Sequence, residues 1–131
     1  MKQRKEYGFD ERETWALNST LAGWLYSHLR MYKDIGGKVV NLEYHKFEIP
    51  VIKRLEPNEI KYIEGSTFPE RYYKEVLEEH TQEECIDLAI EYLEYYLKNG
   101  DAVKFEKEAK ATEKCQCAMK IVAEILPALW W

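Results

Sequence analysis

The chain has 131 residues and a formal net charge of -5. That is the size of one domain, long enough to bury most of its apolar surface without a metal or disulfide staple. With 46% apolar and 33% charged residues it reads as a folded globule, and its negative balance argues against direct nucleic-acid binding, which needs a basic surface. Apolar runs of only a few residues predict no membrane span. No apolar segment follows "MKQRKEYG", so no secretory leader is expected, and three cysteines fit a reducing cytoplasm.

The predicted elements begin with an N-terminal arm over 1–9 and a first helix over 10–35. Leu17, Leu21, Leu25 and Leu29 recur every four positions there, flanked by Trp24, His28 and Tyr32. Gly36 and Gly37 are expected to stop it, because glycine accepts the left-handed conformation past a helix end. Residues 38–68 read as an extended and loop insertion, since Val40, Leu42 and Tyr44 alternate with Asn41, Glu43 and His45, and Pro50 and Pro57 follow. The β-like part is placed around 38–63.

From Pro69 the helical period returns, so residues 69–126 are expected to be helices. Pro69 suits a first helical turn. Thr81 and Glu84 have capping-box spacing, in which each side chain satisfies the other's backbone N–H. The helix from about 82 to 99 carries an apolar stripe of Ile86, Ile90, Leu93 and Leu97, and Gly100 closes it. Asp101 is expected to cap a last helix whose inner face is Phe105, Ala109, Thr112, Cys115, Met119, Val122 and Leu126. Pro127 ends it and leaves an aromatic tail over 127–131, expected to fold back on the first helix near Trp15, Trp24 or Leu21, with docking on a second copy or a partner as the alternative. The fold class is thus mainly α: one small domain, 1–131, of three to five helices with a short extended segment.

The stretch "YGFDERETW" sets Asp10, Glu11, Arg12 and Glu13 between Phe9 and Trp15. Asp10 as N-cap puts Glu13 at the third helical position, an acidic capping box. Asn18 offers a second cap. "GFDERETWALN", "GGKVVNLEYHKFE" and the terminal "PALWW" resemble a family of small proteins of tailed phages and prophages of Firmicutes. Their N-termini run close to Gly-Phe-Asp-Asp-Arg-Glu-Thr-Trp and their C-termini end in a similar proline and paired tryptophans. The likeness covers roughly residues 7–48 and the last helix. It implies a phage origin and a mostly helical fold, and it brings no catalytic residues.

Candidate chemistry is thin. His28, His45 and His80 sit in no zincin or di-metal helix pattern, and Glu43 with His45, or His80 with Glu83 and Glu84, read as solvated pairs. Cys115 and Cys117 project about 200° apart on a helix and cannot share an ion, so one is expected in the core and one half-exposed. Glu75 with Glu78, and Glu84 with Asp87, are fragments of the carboxylate pattern that holds magnesium in helical nucleotide pyrophosphatases. No metal or cofactor is expected.

Two surface features stand out. Between Glu75 and Leu97 lie eight acids and no lysine or arginine, a field that speeds association with a basic partner or simply solubilises. Tyr72, Tyr73, Tyr92, Tyr95 and Tyr96 exceed what the helix cores need; they suit an interface, a stacking pocket, or a core edge from which the hydroxyl reaches water. The candidate interaction surface is therefore Glu83, Glu84, Asp87, Glu91, Glu94, Tyr92, Tyr95, Tyr96, Trp130 and Trp131. The leading expectation is a phage-encoded, non-enzymatic binding protein that engages a host protein with a basic surface, such as an anti-CRISPR-like antagonist of a defence system, with homo-oligomers open. The alternatives are a nucleotide-signal sponge and a carboxylate-metal nucleotide hydrolase.

Overall fold

The computed structural model describes residues 16–100 and 103–129. Its elements are α1 (Leu17–Ile35), β1 (Lys46–Arg54), β2 (Tyr73–Thr81), α2 (Gln82–Asn99) and α3 (Phe105–Ile125), with single 3-10 turns at Gly36–Lys38, Pro57–Glu59 and Leu126–Ala128. The two strands form one antiparallel sheet in which Lys46 faces Thr81 and Arg54 faces Tyr73. Among the described residues the fold is mainly helical with a two-stranded sheet, and no helix is long and apolar enough to cross a membrane. The capping pair at Asp10 and Glu13, the Asp101 cap and the paired tryptophans lie outside the described residues.

α2 is the central element. Cys85, Ile86, Ala89 and Leu93 are fully buried and Tyr92 nearly so. α1 packs on one flank and α3 on the other, and β1 lies against α3. Each aliphatic side chain buried in this way stabilises the fold by roughly 1.5–3 kcal/mol. The expected capping box is present: Glu84 N–H donates to Thr81 Oγ1 at 3.2 Å, and Thr81 N–H to Glu84 Oε1 at 2.9 Å. Gly100 closes α2 as expected.

Residues 73–81 correct the expectation of helices from Pro69 onward. "YKEVLEEH" is rich in helix formers, but it pairs along its whole length with β1, where Ile49 and Val51 are buried. The β-branched Ile49, Val51 and Ile52 suit a strand, Pro50 is tolerated because both strands of a two-stranded sheet are edges, and a strand requires a hydrogen-bonding neighbour. That neighbour is supplied from a distance in sequence, so local periodicity does not reveal it. Pro69, expected in a first helical turn, bridges Tyr62 instead. The extended segment is β1 at 46–54, not the alternating residues from 38; those form a 3-10 turn and bends.

Three further expectations change at the helices. Gly36 ends α1 in the right-handed region, with its N–H on the Tyr32 carbonyl, so glycine's left-handed freedom is not used there. Asn18 lies in the first turn of α1 rather than capping it, and its Nδ2 donates to Tyr96 Oη at 2.7 Å, tying α1 to α2. In α3 the buried face is Ala111, Cys117, Ala118, Ile121 and Ile125, while Phe105, Met119 and Leu126 are exposed. Helix axes approach most closely where side chains are small. Ala111, Cys117 and Ala118 face inward with Ile121 and Ile125, Ala89 of α2 is also fully buried, and of the expected stripe Cys115 and Val122 still pack against the core while Phe105, Met119 and Leu126 are turned out.

The leucine ladder of α1 splits for a geometric reason. A four-residue step advances about 40° beyond a full turn. From Leu17 to Leu29 the ladder thus rotates about 120°, from solvent to core: Leu17 and Leu21 are exposed, Leu25 is half-buried and Leu29 is buried. Gly23 lies within α1, and a Cβ built there meets nothing within 4 Å. Glycine in a helix interior costs about 1 kcal/mol relative to alanine. Gly23→Ala is therefore expected to raise stability by about 0.5–1 kcal/mol in urea titrations.

Candidate interaction surfaces

The five acids of α2 share its solvent face, as their spacing predicts, but they are not an isolated negative field. Lys33 of α1 forms an ion pair with Asp87 and lies 4.0 Å from Glu83. Glu94 pairs with Lys98 at 2.8 Å, and Glu84 is engaged in the cap and 3.5 Å from His80. On the sheet, Glu75 meets Lys120 at 2.8 Å, Glu78 meets Lys53 at 3.2 Å, and Glu79 meets Lys46 at 3.8 Å. The lysines missing from residues 75–97 are supplied by other segments. The hydrogen bond from Lys33 raises its pKa above the usual lysine value, and that from Lys98 lowers the Glu94 carboxyl.

The tyrosines do not join those acids in one exposed patch. Tyr92 is buried, and burial pushes its phenol up to about 12. Tyr72, Tyr73, Tyr95 and Tyr96 are half-buried. Lys114 of α3 stands 4.0 Å from the Tyr95 ring centroid and 5.8 Å from that of Tyr73, and Lys110 stands 5.5 Å from Tyr72. Tyr72, Tyr73 and Tyr95 form a core edge roofed by lysine ammonium groups, and burial lowers the Lys114 pKa. Trp130 and Trp131 lie outside the described residues. The chain reaches Leu129, which packs against the core, while the Ala128 carbonyl accepts from Gln82 Nε2 at 3.2 Å and Tyr32 Oη at 3.4 Å.

The exposed aromatic side chains lie elsewhere. Between the strands, residues 61–70 form a small hairpin. Glu70 N–H donates to the Lys61 carbonyl at 2.7 Å, Ile63 N–H to Phe68 at 2.9 Å, and Ser66 N–H to Ile63 at 2.9 Å. Gly65 takes a positive φ of 75° at the turn, where a side chain would be strained. Tyr62, Ile63 and Phe68 are exposed on this hydrogen-bonded tip, and the Phe68 ring is 4.9 Å from that of Phe105.

Glu113 clips the base of this insertion to α3. Its side chain is only 11% exposed and accepts from Tyr72 N–H at 2.9 Å, Tyr73 N–H at 3.2 Å and Arg71 Nε at 3.3 Å. Sequence reasoning passed over this residue, because a glutamate on a helix carries no mark of a distant backbone partner. Glu113→Ala leaves two backbone donors unpaired and is expected to cost on the order of 1–3 kcal/mol. Glu113→Gln, which keeps an acceptor oxygen, recovers part of that. Urea titrations of the two variants side by side measure the difference.

An open cleft of ≈ 580 Å³ lies between the 38–47 segment and the end of α3. Val40, Tyr44, His45 and Phe47 line it with the amides of Asn41 and Gln82 and the carboxylate of Glu124.

Among the described residues no group of three or more His, Cys, Asp or Glu side chains could hold a metal ion. Glu75 and Glu78 lie on a strand rather than a helix and project to opposite faces. That breaks the carboxylate pattern considered for a nucleotide hydrolase. Cys117 is buried and Cys115 half-buried; the two part as their spacing predicts, but Cys115, expected on the inner face of the last helix, is the half-buried one. Burial pushes the thiols of Cys85 and Cys117 up to about 11 from 9.0, so neither is an activated nucleophile. The folded state retains these protons longer than the unfolded chain. The stability this gives is complete below the ordinary thiol pKa and is lost as pH rises from there through about 11. Urea midpoints are expected to fall across that window, and Cys85→Ser/Cys117→Ser should flatten the fall.

No protein-family model, curated protein or solved structure matches the chain.

Proposed function

We propose that this chain is a phage-encoded binding protein that acts by occupying a surface of a host protein, and that the 61–70 hairpin is its recognition element. The observation that carries this reading is the hairpin itself. Its backbone is tied by its own hydrogen bonds and its base by Glu113, yet Tyr62, Ile63 and Phe68 face solvent beside Phe105. Ordering a loop in advance removes an entropic cost from binding, and exposed aromatic side chains are the residues that supply most binding energy. The motif resemblance supports the phage origin, and an antagonist of a host defence system is the role such a surface would serve. The acids of α2 would act as a steering rim. Tyr95, on the same helix, shares Lys114 with Tyr73 at the start of β2.

A test immobilises the full chain and exposes it to lysate from a Firmicute host. A discrete host protein is expected to be retained, and Tyr62→Ser or Phe68→Ser should weaken its binding by on the order of tenfold or more, with melting temperatures little changed. Equal retention by both variants would remove the hairpin from the reading. Retention of no specific protein would count against the function as a whole.

The 38–47 cleft supports a second reading, a small-molecule binder of the nucleotide-sponge kind. Its size suits a nucleotide, and Tyr44 and Phe47 beside two amides suit a base with its hydrogen-bonding edge. Native mass spectrometry of protein purified from the host would show a retained nucleotide. The expected tyrosines of α2 do not line this cleft.

A further inference from the structure

Along α1 the residues Leu17, Leu21, Trp24, His28, Met31 and Ile35 follow a strict four-three alternation. On a helix of 3.6 residues per turn they fall within about 40° of a common line. The core-facing side, Ala22, Leu25, Leu29 and Tyr32, lies about a third of a turn away. Every member of the outer line is exposed, and its five apolar side chains are between 47% and 58% so. From Ala16 to Leu29 no lysine, arginine, aspartate or glutamate interrupts the helix. The Trp24 and His28 rings stack at 3.9 Å in the middle of the line.

We propose that this face of α1 is a self-association surface, on which two copies of the chain pack their α1 helices antiparallel about a two-fold axis passing between Trp24 and His28. The spacing is a palindrome about that point. Under the two-fold, Leu17 meets the second copy's Ile35, Leu21 meets its Met31, and Trp24 meets its His28, with each pairing repeated in reverse. An isologous interface requires this self-complementarity: whatever one residue touches must touch it back. Four-three spacing is also the seam that packs helices at a shallow angle, with side chains of one inserted between those of the other. The seam contains no lysine, arginine, aspartate or glutamate, and in an antiparallel pair its one histidine meets Trp24 of the second copy rather than its like.

The area is sufficient. The five apolar side chains leave on the order of 500 Å² in water on one copy, so a pair would cover about 1,000 Å², the size at which specific interfaces begin. The stripe does not include the 61–70 hairpin, so this inference stands apart from the host-protein reading. A dimer would present two hairpins to its target.

The full chain is examined by sedimentation velocity from low to high micromolar concentration. The expected species has twice the 15.7 kDa chain mass. Leu21→Asp/Met31→Asp should be monomeric throughout while keeping the wild-type circular dichroism spectrum and its melt at low concentration, since both positions are exposed. A wild-type chain that stays monomeric would overturn the proposal, whether the stripe is covered within its own chain or reserved for a host helix. So would a dimer that survives both aspartates.

Orientation is read separately. Under oxidation, Leu21→Cys/Met31→Cys should cross-link into covalent dimers on a non-reducing gel, while Leu21→Cys alone and Met31→Cys alone should not. Cross-linking of the single variants to themselves would mean a parallel pair and would refute the arrangement. Tyr62→Ser should leave the dimer intact, so failure of the hairpin reading and failure of this one are distinguishable.

Discussion

Thr81 is the last residue of β2 and the N-cap of α2, with no connecting loop between them. Its reciprocal hydrogen bonds with Glu84 satisfy two orphan donors of the helix start and fix the direction in which α2 leaves the sheet. The rest of the molecule is arranged around that joint. The next residue, Gln82, is buried and holds the Ala128 carbonyl, so the end of the chain is tied to the start of the central helix. The Gln82 and Glu83 backbone N–H groups reach the His45 and Leu42 carbonyls, which anchors the entry to β1 at the same point. A substitution at Thr81 would therefore disturb more than the cap.

Once α2 is fixed, its packing decides which surfaces remain. α3 buries Ala111, Cys117, Ala118, Ile121 and Ile125 and turns Phe105, Met119 and Leu126 outward. α1 meets α2 through Ala22, Leu25 and Leu29 and leaves a second, uncharged apolar line facing away. The exposed apolar side chains of α1 and α3 thus belong to the faces left over once each helix had buried its core side. Contiguous apolar patches on a soluble domain point to partners, and here they occur on elements stiffened by helix or hairpin hydrogen bonds.

The charges follow a different logic. The acids of residues 75–97 meet lysines from α1, β1 and α3, as well as Lys98 of their own helix. Exposed pairs of this kind contribute little individually, but they join segments far apart in sequence and weaken the negative field that the composition implies. Glu113 is the exception in kind. It is nearly enclosed and accepts from two backbone amides, so it acts as a structural bracket for the insertion between the strands.

What the sequence determined by itself is local. The Thr81–Glu84 box, the ends of α2, and the helical character of 17–35 and 105–125 follow from capping chemistry and periodicity within a few residues. The acids of α2 fell on one face because helical spacing alone puts them there. Tertiary structure decided what local pattern cannot. "YKEVLEEH" became a strand because Ile49 and Val51 of a distant segment needed a hydrogen-bonding neighbour. α3 buried Ala111, Cys117, Ala118, Ile121 and Ile125 and left Phe105 and Met119 outward because of the elements it met in space. Tyr72, Tyr73 and Tyr95 became a lysine-roofed core edge, and the exposed aromatic side chains of the 61–70 hairpin became prominent, only when elements met. Helix and cap energies depend on neighbours in sequence; the choice of buried face depends on neighbours in space, and a single chain of letters does not record those.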